Sequence, residues 1–425
     1  MPFIPSPALL HSPRGRRLAS PGVGQHGPAS AIPGACRIAI VGGGPAAVAL
    51  ATNLYHRWGH LEDVVVLDGH GRLMKQFFTR VDTLAQSVLR SPYEHHVGTH
   101  EHRDCELLDF ARCRWDRLTE VERSEIRMAM SGQRSVVPLD VFRAYAEHTA
   151  VNHGADSRCW KSTVNRIEPS GRGWAVHHTG GTLLAERVVL AMGEQTDELP
   201  AAWAVSDRVV RWDHYRPGPE GRTVLVSGSG LSAAHLIADL CTAGCHVHWV
   251  QRRGERFQCA DVNARYFRPE GQAAFRSLSI AGRARALRRH RVPTIMFEFR
   301  PLLQEWVARA CLSVHRDTMP VAVRDRTDGR LDVSLSDGTV VVVDEVIAAH
   351  GTSPAPLPVR LTDFALPNLP ILDDDSLEPI GAPGLHVMGA HAGMSMGPAA
   401  RNIDGMRVAA RRIVEALDRP RKATR

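Results

Sequence analysis

Gly42, Gly44 and Ala47 have the spacing of a turn that can bind a pyrophosphate group. One apolar run precedes them and another follows, so the pattern predicts a strand, a tight turn and a helix. In such a turn Gly42 permits the bend, Gly44 lets the backbone approach a phosphate, and Ala47 lets the helix pack against the strand. Pro45 and Ala46 complete the turn, and the first N–H groups of the helix would face the phosphates.

An acidic residue follows at the distance that this kind of turn requires. The run Val64-Val65-Val66-Leu67 predicts a second strand, and Asp68 follows it, 21 residues after Ala47. A carboxylate there can accept hydrogen bonds from the hydroxyls of a ribose. An ordinary strand–helix turn is the alternative, but the order strand, turn, helix, strand and acid favours a dinucleotide with an unmodified ribose, such as FAD.

A second turn of the same kind follows the strand-like run 223–227. It consists of Gly228, Ser229, Gly230, Leu231, Ser232 and Ala233. After the next strand the acid is replaced by Arg252 and Arg253, the first of them 19 residues after Ala233. Guanidinium groups pair bidentately with phosphate and suit a ribose 2′-phosphate. We therefore predict NADPH at the second turn, the alternative being arginines that occur on the surface by chance.

Further candidate contacts lie in loops and at strand ends. Pro92 favours extended geometry at Ser91, and the polar loop 71–102 would contact a dinucleotide through Arg90 and Ser91, unless it only connects elements. An Ala-x-Gly ending occurs twice, at 191–193 and 349–351. The predicted cofactor contacts from strands and strand ends are Val164, Ala191, Gly193, Gly351 and Gly389.

The C-terminal part reads as a last parallel strand over 385–389 and then a helix. Pro398 stands where the first turn of a helix tolerates proline, and the pattern predicts one helix from Gly397 to Val414. Its N-terminal N–H groups would face a flavin carbonyl. Pro398 and Asn402 are therefore also predicted to contact the cofactor.

The pattern as a whole predicts an α/β fold with two Rossmann-like, three-layer dinucleotide-binding domains, the NADPH domain inserted in the FAD domain. The predicted parts are a disordered extension (1–36), the FAD domain (37–205 and 346–425) and the NADPH domain (206–345) with an insertion over 254–320. Residues 1–36 contain seven prolines and no acid. Such a segment lacks the apolar surface to fold; a targeting segment or a start codon assigned too early would look the same.

Composition limits the classes of protein. Of the 425 residues 44% are hydrophobic and 23% are charged, the net charge is +7, and no apolar run is long enough for a membrane span. The eight cysteines form no C-x-x-C pair, which argues against a disulfide framework or a zinc site and predicts a cytoplasmic protein. The arginine runs 283–291 and 419–425 lack interleaved aromatic residues, so we expect solvated surfaces and no nucleic acid or membrane partner. Whether the chain forms a homo-oligomer is left open.

Together, the two glycine turns, Arg252-Arg253 and the two Ala-x-Gly endings resemble the two-dinucleotide-binding flavoproteins, over most of residues 37–415. Within these the chain is most similar to class B flavin-dependent monooxygenases, particularly the bacterial ornithine and lysine N-hydroxylases. It departs from them in lacking the F-x-G-x-x-x-H fingerprint and the usual N-hydroxylase C-terminus.

The resemblance implies that NADPH reduces FAD, that the reduced flavin forms a hydroperoxyflavin with dioxygen, and that a small amine or sulfur compound takes one oxygen atom. The cofactor carries the difficult chemistry, so we assign no catalytic residue and no metal. One alternative is an NADPH-dependent flavoprotein reductase without a redox disulfide, because Cys241 and Cys245 read as core residues of a helix. Another is a dinucleotide-binding protein without catalytic activity.

Overall fold

A computed structural model describes residues 10, 18, 28, 30–99, 105–203 and 206–419. Within this part, the strands are β1 (Ala35–Val41), β2 (Val64–Asp68), β3 (Val88–Leu89), β4 (Val137–Pro138), β5 (Cys159–Lys161), β6 (Val164–Ser170), β7 (Gly173–His178), β8 (Gly181–Leu190), β9 (Glu194–Thr196), β10 (Val209–Arg211), β11 (Thr223–Ser227), β12 (His246–Gln251), β13 (Leu312–Arg316), β14 (Pro320–Asp325), β15 (Leu331–Leu335), β16 (Val340–Val343), β17 (Glu345–Ala348), β18 (Thr352–Pro354), β19 (Phe364–Leu366), β20 (Leu369–Pro370) and β21 (Leu385–Val387).

The α-helices alternate with these strands. They are α1 (Pro45–Trp58), α2 (Lys75–Thr83), α3 (Glu106–Arg112), α4 (Glu120–Met130), α5 (Leu139–Asn152), α6 (Leu231–Thr242), α7 (Pro269–Arg276), α8 (Ile280–His290), α9 (Phe299–Ala308), α10 (Gly393–Met396) and α11 (Ile403–Leu417). Short 3₁₀ helices occur at Trp115–Arg117, Asp156–Arg158, Ala201–Trp203, Ala264–Phe267, Gly389–Ala392 and Gly397–Arg401. Among the described residues, no helix combines the length and the apolar character needed to span a bilayer.

The first sheet has seven strands in the order β5-β2-β1-β8-β7-β6, with β21 also paired to β8. Strands β5, β2, β1, β8 and β21 are parallel, whereas β7 and β6 form an antiparallel extension. Val64, Val65 and Val66 are fully buried, because helices cover both faces of a parallel sheet and its strands are then apolar throughout. Helix α1 packs against α11 beside this sheet.

The second sheet contains only parallel strands, in the order β10-β17-β11-β12-β13. Strands β14, β15 and β16 form a separate antiparallel sheet. The chain passes directly from β16 through Asp344 into β17, just as β8 continues from its pairing with β7 into its pairing with β21. The recurrence confirms the predicted α/β fold with two Rossmann-like sheets.

The two sheets are linked by a strand pair. Directly after Gly193 and Gly351 the chain forms β9 and β18, which pair antiparallel with Thr352 opposite Thr196. Glu194 lies in this link, and its carboxylate accepts hydrogen bonds from Thr352 and binds Arg291 and Arg401. The segments that leave the two sheets after Gly193 and Gly351 are therefore in direct contact.

Three element positions differ from the sequence-based boundaries. Strand β1 begins at Ala35, within the range predicted as an extension, and Leu18 is only 1% exposed against the first core; most of that range lies outside the described residues. Strand β13 belongs to the second sheet, although its residues fall in the predicted insertion. Strand β17 crosses the predicted boundary at residue 345. Each difference reflects pairing with a distant strand, which a local pattern does not reveal.

Candidate dinucleotide-binding site

The first glycine turn is determined by a close contact with the end of β8. Gly42 has φ +103°, a conformation that favours glycine, and a Cβ atom there would lie 2.5 Å from the carbonyl oxygen of Ala191. Ala191 itself donates its N–H to the carbonyl oxygen of Val41 at 2.8 Å. The structure thus brings Gly42 and Ala191 together, and any side chain at residue 42 would force these two strand ends apart.

The start of α1 has the features of an anion site. Gly44 is its N-cap, Pro45 is its first residue, no side chain caps it, and its first turn carries no acid. A Cβ at Gly44 would meet no atom within 4 Å. Ala46 and Ala47 are buried. The uncapped N–H groups and the open space beside Gly44 therefore fit a pyrophosphate.

Asp68 is held at the end of β2 by two backbone groups. Its Oδ2 accepts a hydrogen bond from the N–H of Gly43 at 2.9 Å, and its Oδ1 accepts one from His70 at 2.8 Å. A carboxylate has further acceptor capacity, so this fixed group can still bind ribose hydroxyls. Ser162 donates its N–H to the carbonyl oxygen of Asp68 at 3.0 Å. The chain therefore contacts the end of β2 just before Val164, the first residue of β6.

The second glycine turn repeats the first. Gly228 has φ +141°, and a Cβ there would collide with the carbonyl oxygen of Ala349, the counterpart of Ala191. Gly230 is the N-cap of α6, again without a side-chain cap or an acid in the first turn. The half-buried Ser229 and Ser232 flank this N-cap. A second helix N-terminus is thus left for an anion at the end of a parallel strand.

Arg252 and Arg253 follow the last residue of β12 and are exposed. No hydrogen bond or ion pair joins either side chain to any residue that the structure describes. Their guanidinium groups are consequently available for a phosphate near the second turn. The first sheet carries Asp68 in a corresponding place, at the end of β2, the strand that pairs with β1 before the first glycine turn.

Arg90 and Asn402 lie near Asp261, a residue that the sequence did not single out. Asn402 donates from Nδ2 to Asp261 Oδ1 at 2.8 Å, and Arg90 donates from Nη2 to the carbonyl oxygen of Gln258 at 3.2 Å. Burial lowers the pKa of Arg90, and the charge of Asp261 opposes this shift. Arg90 Nε and Asn402 Oδ1 are buried without a hydrogen-bond partner. Such unsatisfied polar atoms fit a polar ligand. Ser91, the residue after Arg90, is half-buried.

The strand exits contain two glycines in left-handed conformations. Gly193 has φ +71° and Gly351 has φ +97°. Between Ala349 and Gly351, His350 bonds through Nε2 to Ser227 Oγ at 3.0 Å. Burial lowers the pKa of His350. The sequence showed this histidine only as the variable position of the Ala-x-Gly ending, and no local signal indicated its bond to the end of β11.

The C-terminal helix begins later than predicted. Gly389, with φ +63°, opens a 3₁₀ helix after β21. Pro398 is buried in the 3₁₀ helix Gly397–Arg401, and Asn402, in extended geometry, is the N-cap of α11. The interpretation of Pro398 as the first turn of the long helix was therefore wrong, because the extended Asn402 separates the two helices.

The fold and the two turns define a protein with two Rossmann-type units, and the comparisons with known proteins agree with this fold. Residues 39–195 match the model of a family described as FAD-NAD(P)-binding, as predicted for the first turn. No curated protein sequence matches the chain.

Solved structures share the fold over nearly the whole chain. The ornithine hydroxylase PvdA from Pseudomonas aeruginosa has a TM-score of 0.71 at 19% identity, covering 90% of this chain and 98% of its own. The ornithine N-hydroxylase KtzI of Kutzneria sp. 744, in complex with reduced FAD, NADP⁺ and L-ornithine, has a TM-score of 0.71 at 16% identity, covering 90% of this chain and 99% of its own. The bacillithiol disulfide reductase Bdr (YpdA) from Staphylococcus aureus has 0.60 at 14%, covering 90% and 98%. The chain has the fold of the N-hydroxylases, as the sequence predicted.

Proposed function

We propose that this protein is an FAD- and NADPH-dependent monooxygenase that hydroxylates a small nucleophilic substrate, an amine or a sulfur compound. The observation that carries the proposal is the pair of glycine turns, one beside Asp68 and the other beside Arg252 and Arg253. The similarity to ornithine hydroxylases supports the choice of reaction, since the KtzI complex contains reduced FAD, NADP⁺ and the amine L-ornithine.

Each cofactor contact has a physical reason. The N-termini of α1 and α6 would bind the two pyrophosphates, and Asp68 would accept hydrogen bonds from the FAD ribose. Arg252 and Arg253 would bind the 2′-phosphate of NADPH. When bound, FAD would supply the redox chemistry by taking a hydride from NADPH and activating dioxygen. Arg90 Nε and Asn402 Oδ1, which have no hydrogen-bond partner, would bind polar groups of the cofactor.

The reaction balances with dioxygen as oxidant. One oxygen atom enters the substrate and the other leaves as water, while NADPH and a proton supply the two electrons and the two hydrogens that this water requires. The chain's own task is then to bind and orient the reactants and to shield them from water.

We also propose a division into an FAD-binding part, residues 37–205 and 349–425, and an NADPH-binding part that extends to Ala348, the end of β17. A cytoplasmic location is proposed because all eight cysteines are free.

A reductase that serves another acceptor is the second candidate, favoured by the similarity to the disulfide reductase YpdA. Cys241 and Cys245 are both buried in the second core, and burial raises the pKa of Cys241 above the usual range. These thiols are therefore poorly placed to relay electrons.

The test is NADPH oxidation and oxygen uptake with a panel of primary amines and sulfides, under isotopically labelled dioxygen. A monooxygenase will oxidise NADPH faster with its substrate and yield a product that carries one labelled oxygen atom. Rapid NADPH oxidation that no substrate changes, with no labelled product, would favour the reductase.

A further inference from the structure

A cavity of about 510 Å³ lies between α7, the outer face of α11 and the loop at Glu94 and His95. None of the residues proposed to contact a cofactor lines it. Arg412, on its wall, is ten residues beyond Asn402, which corresponds to about 15 Å along the axis of a helix. The proposed cofactor contacts therefore do not account for the residues that line this cavity.

Arg412 carries a charge that no described carboxylate neutralises by direct contact. Its side chain is 9% exposed and donates to the amide oxygen of Gln272 at 2.6 Å and to the carbonyl oxygen of Asp374 at 3.2 Å. Both acceptors are uncharged. The carboxylate of Asp374 is bound instead by both terminal nitrogens of Arg283, each at 2.8 Å.

Other arginines on the cavity wall are also unpaired. The side chains of Arg268 and Arg276 form no hydrogen bond or ion pair with a described residue. Burial lowers the pKa of Arg412, and the neighbouring charge of Arg276 adds to this effect. Glu94 and Asp375 also line the cavity, but neither lies within ion-pair distance of these arginines.

Four further charged residues of the cavity form two ion pairs. Arg407 binds Asp404 at 2.6 Å, and Arg411 lies 3.7 Å from Glu415. A buried charge without a partner is unfavourable, and an anion that enters the cavity removes that cost. The cavity is within the size range of small-molecule sites, and its apolar lining includes Phe267 and Val408.

We propose that this cavity binds a small organic anion. Its carboxylate or phosphate group would lie on Arg276 and Arg412, which can both bind such a group through two N–H donors. Its apolar part would contact Phe267 and Val408. This site is independent of the proposed reaction and would exist whether the protein is a monooxygenase or a reductase.

The test is calorimetric titration of the purified protein, saturated with NADP⁺, with inorganic phosphate and separately with hexanoate. Saturating NADP⁺ keeps phosphate from the second glycine turn. We expect saturable binding of at least one probe, weakened about tenfold by Arg276→Gln, since one charge-assisted contact is lost. Arg276 has no described side-chain partner, so this variant is expected to fold.

Arg288→Gln is the matched control, because Arg288 is exposed on α8 and does not line the cavity. It should bind the probes like the natural chain. Binding of hexanoate alone would identify a carboxylate ligand, and binding of phosphate alone would identify a phosphate. Absence of saturable binding by either probe, or equal binding by Arg276→Gln and the natural chain, would overturn the proposal. If Arg276→Gln did not fold, Arg412→Gln, which removes the other guanidinium proposed to hold the anion, would replace it with the same expectation.

Discussion

Gly42 and Gly44 are both glycines of the first turn, but different causes require them. Gly42 must have no side chain because the carbonyl oxygen of Ala191 occupies that space. Gly44 has φ −79° and open space around it, so the protein alone would accept a larger residue there. The approach of a ligand would explain a glycine at residue 44, which makes it the better position for testing cofactor binding without disturbing the fold.

We predict that Gly44→Ala reduces flavin affinity about tenfold or more, because a methyl group would intrude between the backbone and the pyrophosphate. Stability of the apoprotein should change by less than about 1 kcal/mol, the usual cost of a glycine N-cap replaced by alanine. Flavin absorbance of the purified variant and its thermal unfolding measure the two effects. Gly34→Ala is the control, since Gly34 also has open surroundings but lies before β1; equal flavin content in both variants would contradict the assignment.

We predict that Arg252→Ala combined with Arg253→Ala weakens NADPH about tenfold to a hundredfold and NADH little, because only NADPH has the 2′-phosphate. Dissociation constants for both nucleotides measure the difference. Arg285→Ala, an exposed arginine of α8, should leave both constants unchanged. Equal weakening of NADPH and NADH would show that the two arginines do not bind the 2′-phosphate.

Local spacing was sufficient to single out Gly42, Gly228 and Asp68, because the turn and its acid lie within one strand–helix–strand unit. Asp261 could not be found in this way. Its partner Asn402 is 141 residues away, and Asp261 itself belongs to no periodic pattern. Contacts of this kind depend on how distant elements pack, so one sequence carries no sign of them.

At the scale of elements, the apolar runs predict the strands on either side of each glycine turn, and the structure contains these strands at the predicted places. The start of α11 does not, since the choice between a 3₁₀ turn and a helix at 397–402 depends on close packing: a Cβ at Gly405 would collide with the carbonyl oxygen of Ala399. Strand β13 was likewise missed, because only its pairing with β12 distinguishes it from the preceding helices.

Glu194 lies in β9, which pairs with β18, and its side chain is 15% exposed. Its carboxylate lies 3.0 Å from Arg291 and 2.8 Å from Arg401, and it accepts a hydrogen bond from Thr352 at 3.0 Å. Burial lowers the pKa of Arg291, and the charge of Arg401 adds to this, so the carboxylate offsets an unfavourable pair of like charges.

We predict that Glu194→Gln lowers stability by about 2 kcal/mol, because two partly buried arginines lose their shared counter-charge. Thermal unfolding measures the change. Glu198→Gln is the comparison: Glu198 pairs with Arg211 at 3.0 Å but is 82% exposed, and surface pairs contribute roughly 0–1 kcal/mol. If the two variants unfolded at the same temperature, the link through Glu194 would have no special role.

At the scale of the whole molecule, each of the two parallel sheets has one strand, β1 or β11, that leads into a glycine turn. The short strands that follow the two Ala-x-Gly endings, β9 and β18, pair with each other. In the proposed function, such an arrangement would place two dinucleotide sites on one chain with a fixed connection between them. The repeated turns and Ala-x-Gly endings make this plan readable in the sequence. The pairing of β9 with β18 is not readable, because each is only three residues long and gains its geometry from the other.

The most direct test of the central claim is anaerobic mixing of the purified protein with NADPH while the flavin absorbance is recorded. The account predicts a yellow protein whose flavin is bleached by NADPH, and more slowly by the same concentration of NADH. A colourless protein that binds no added FAD, or a bound flavin that NADPH does not reduce, would contradict it.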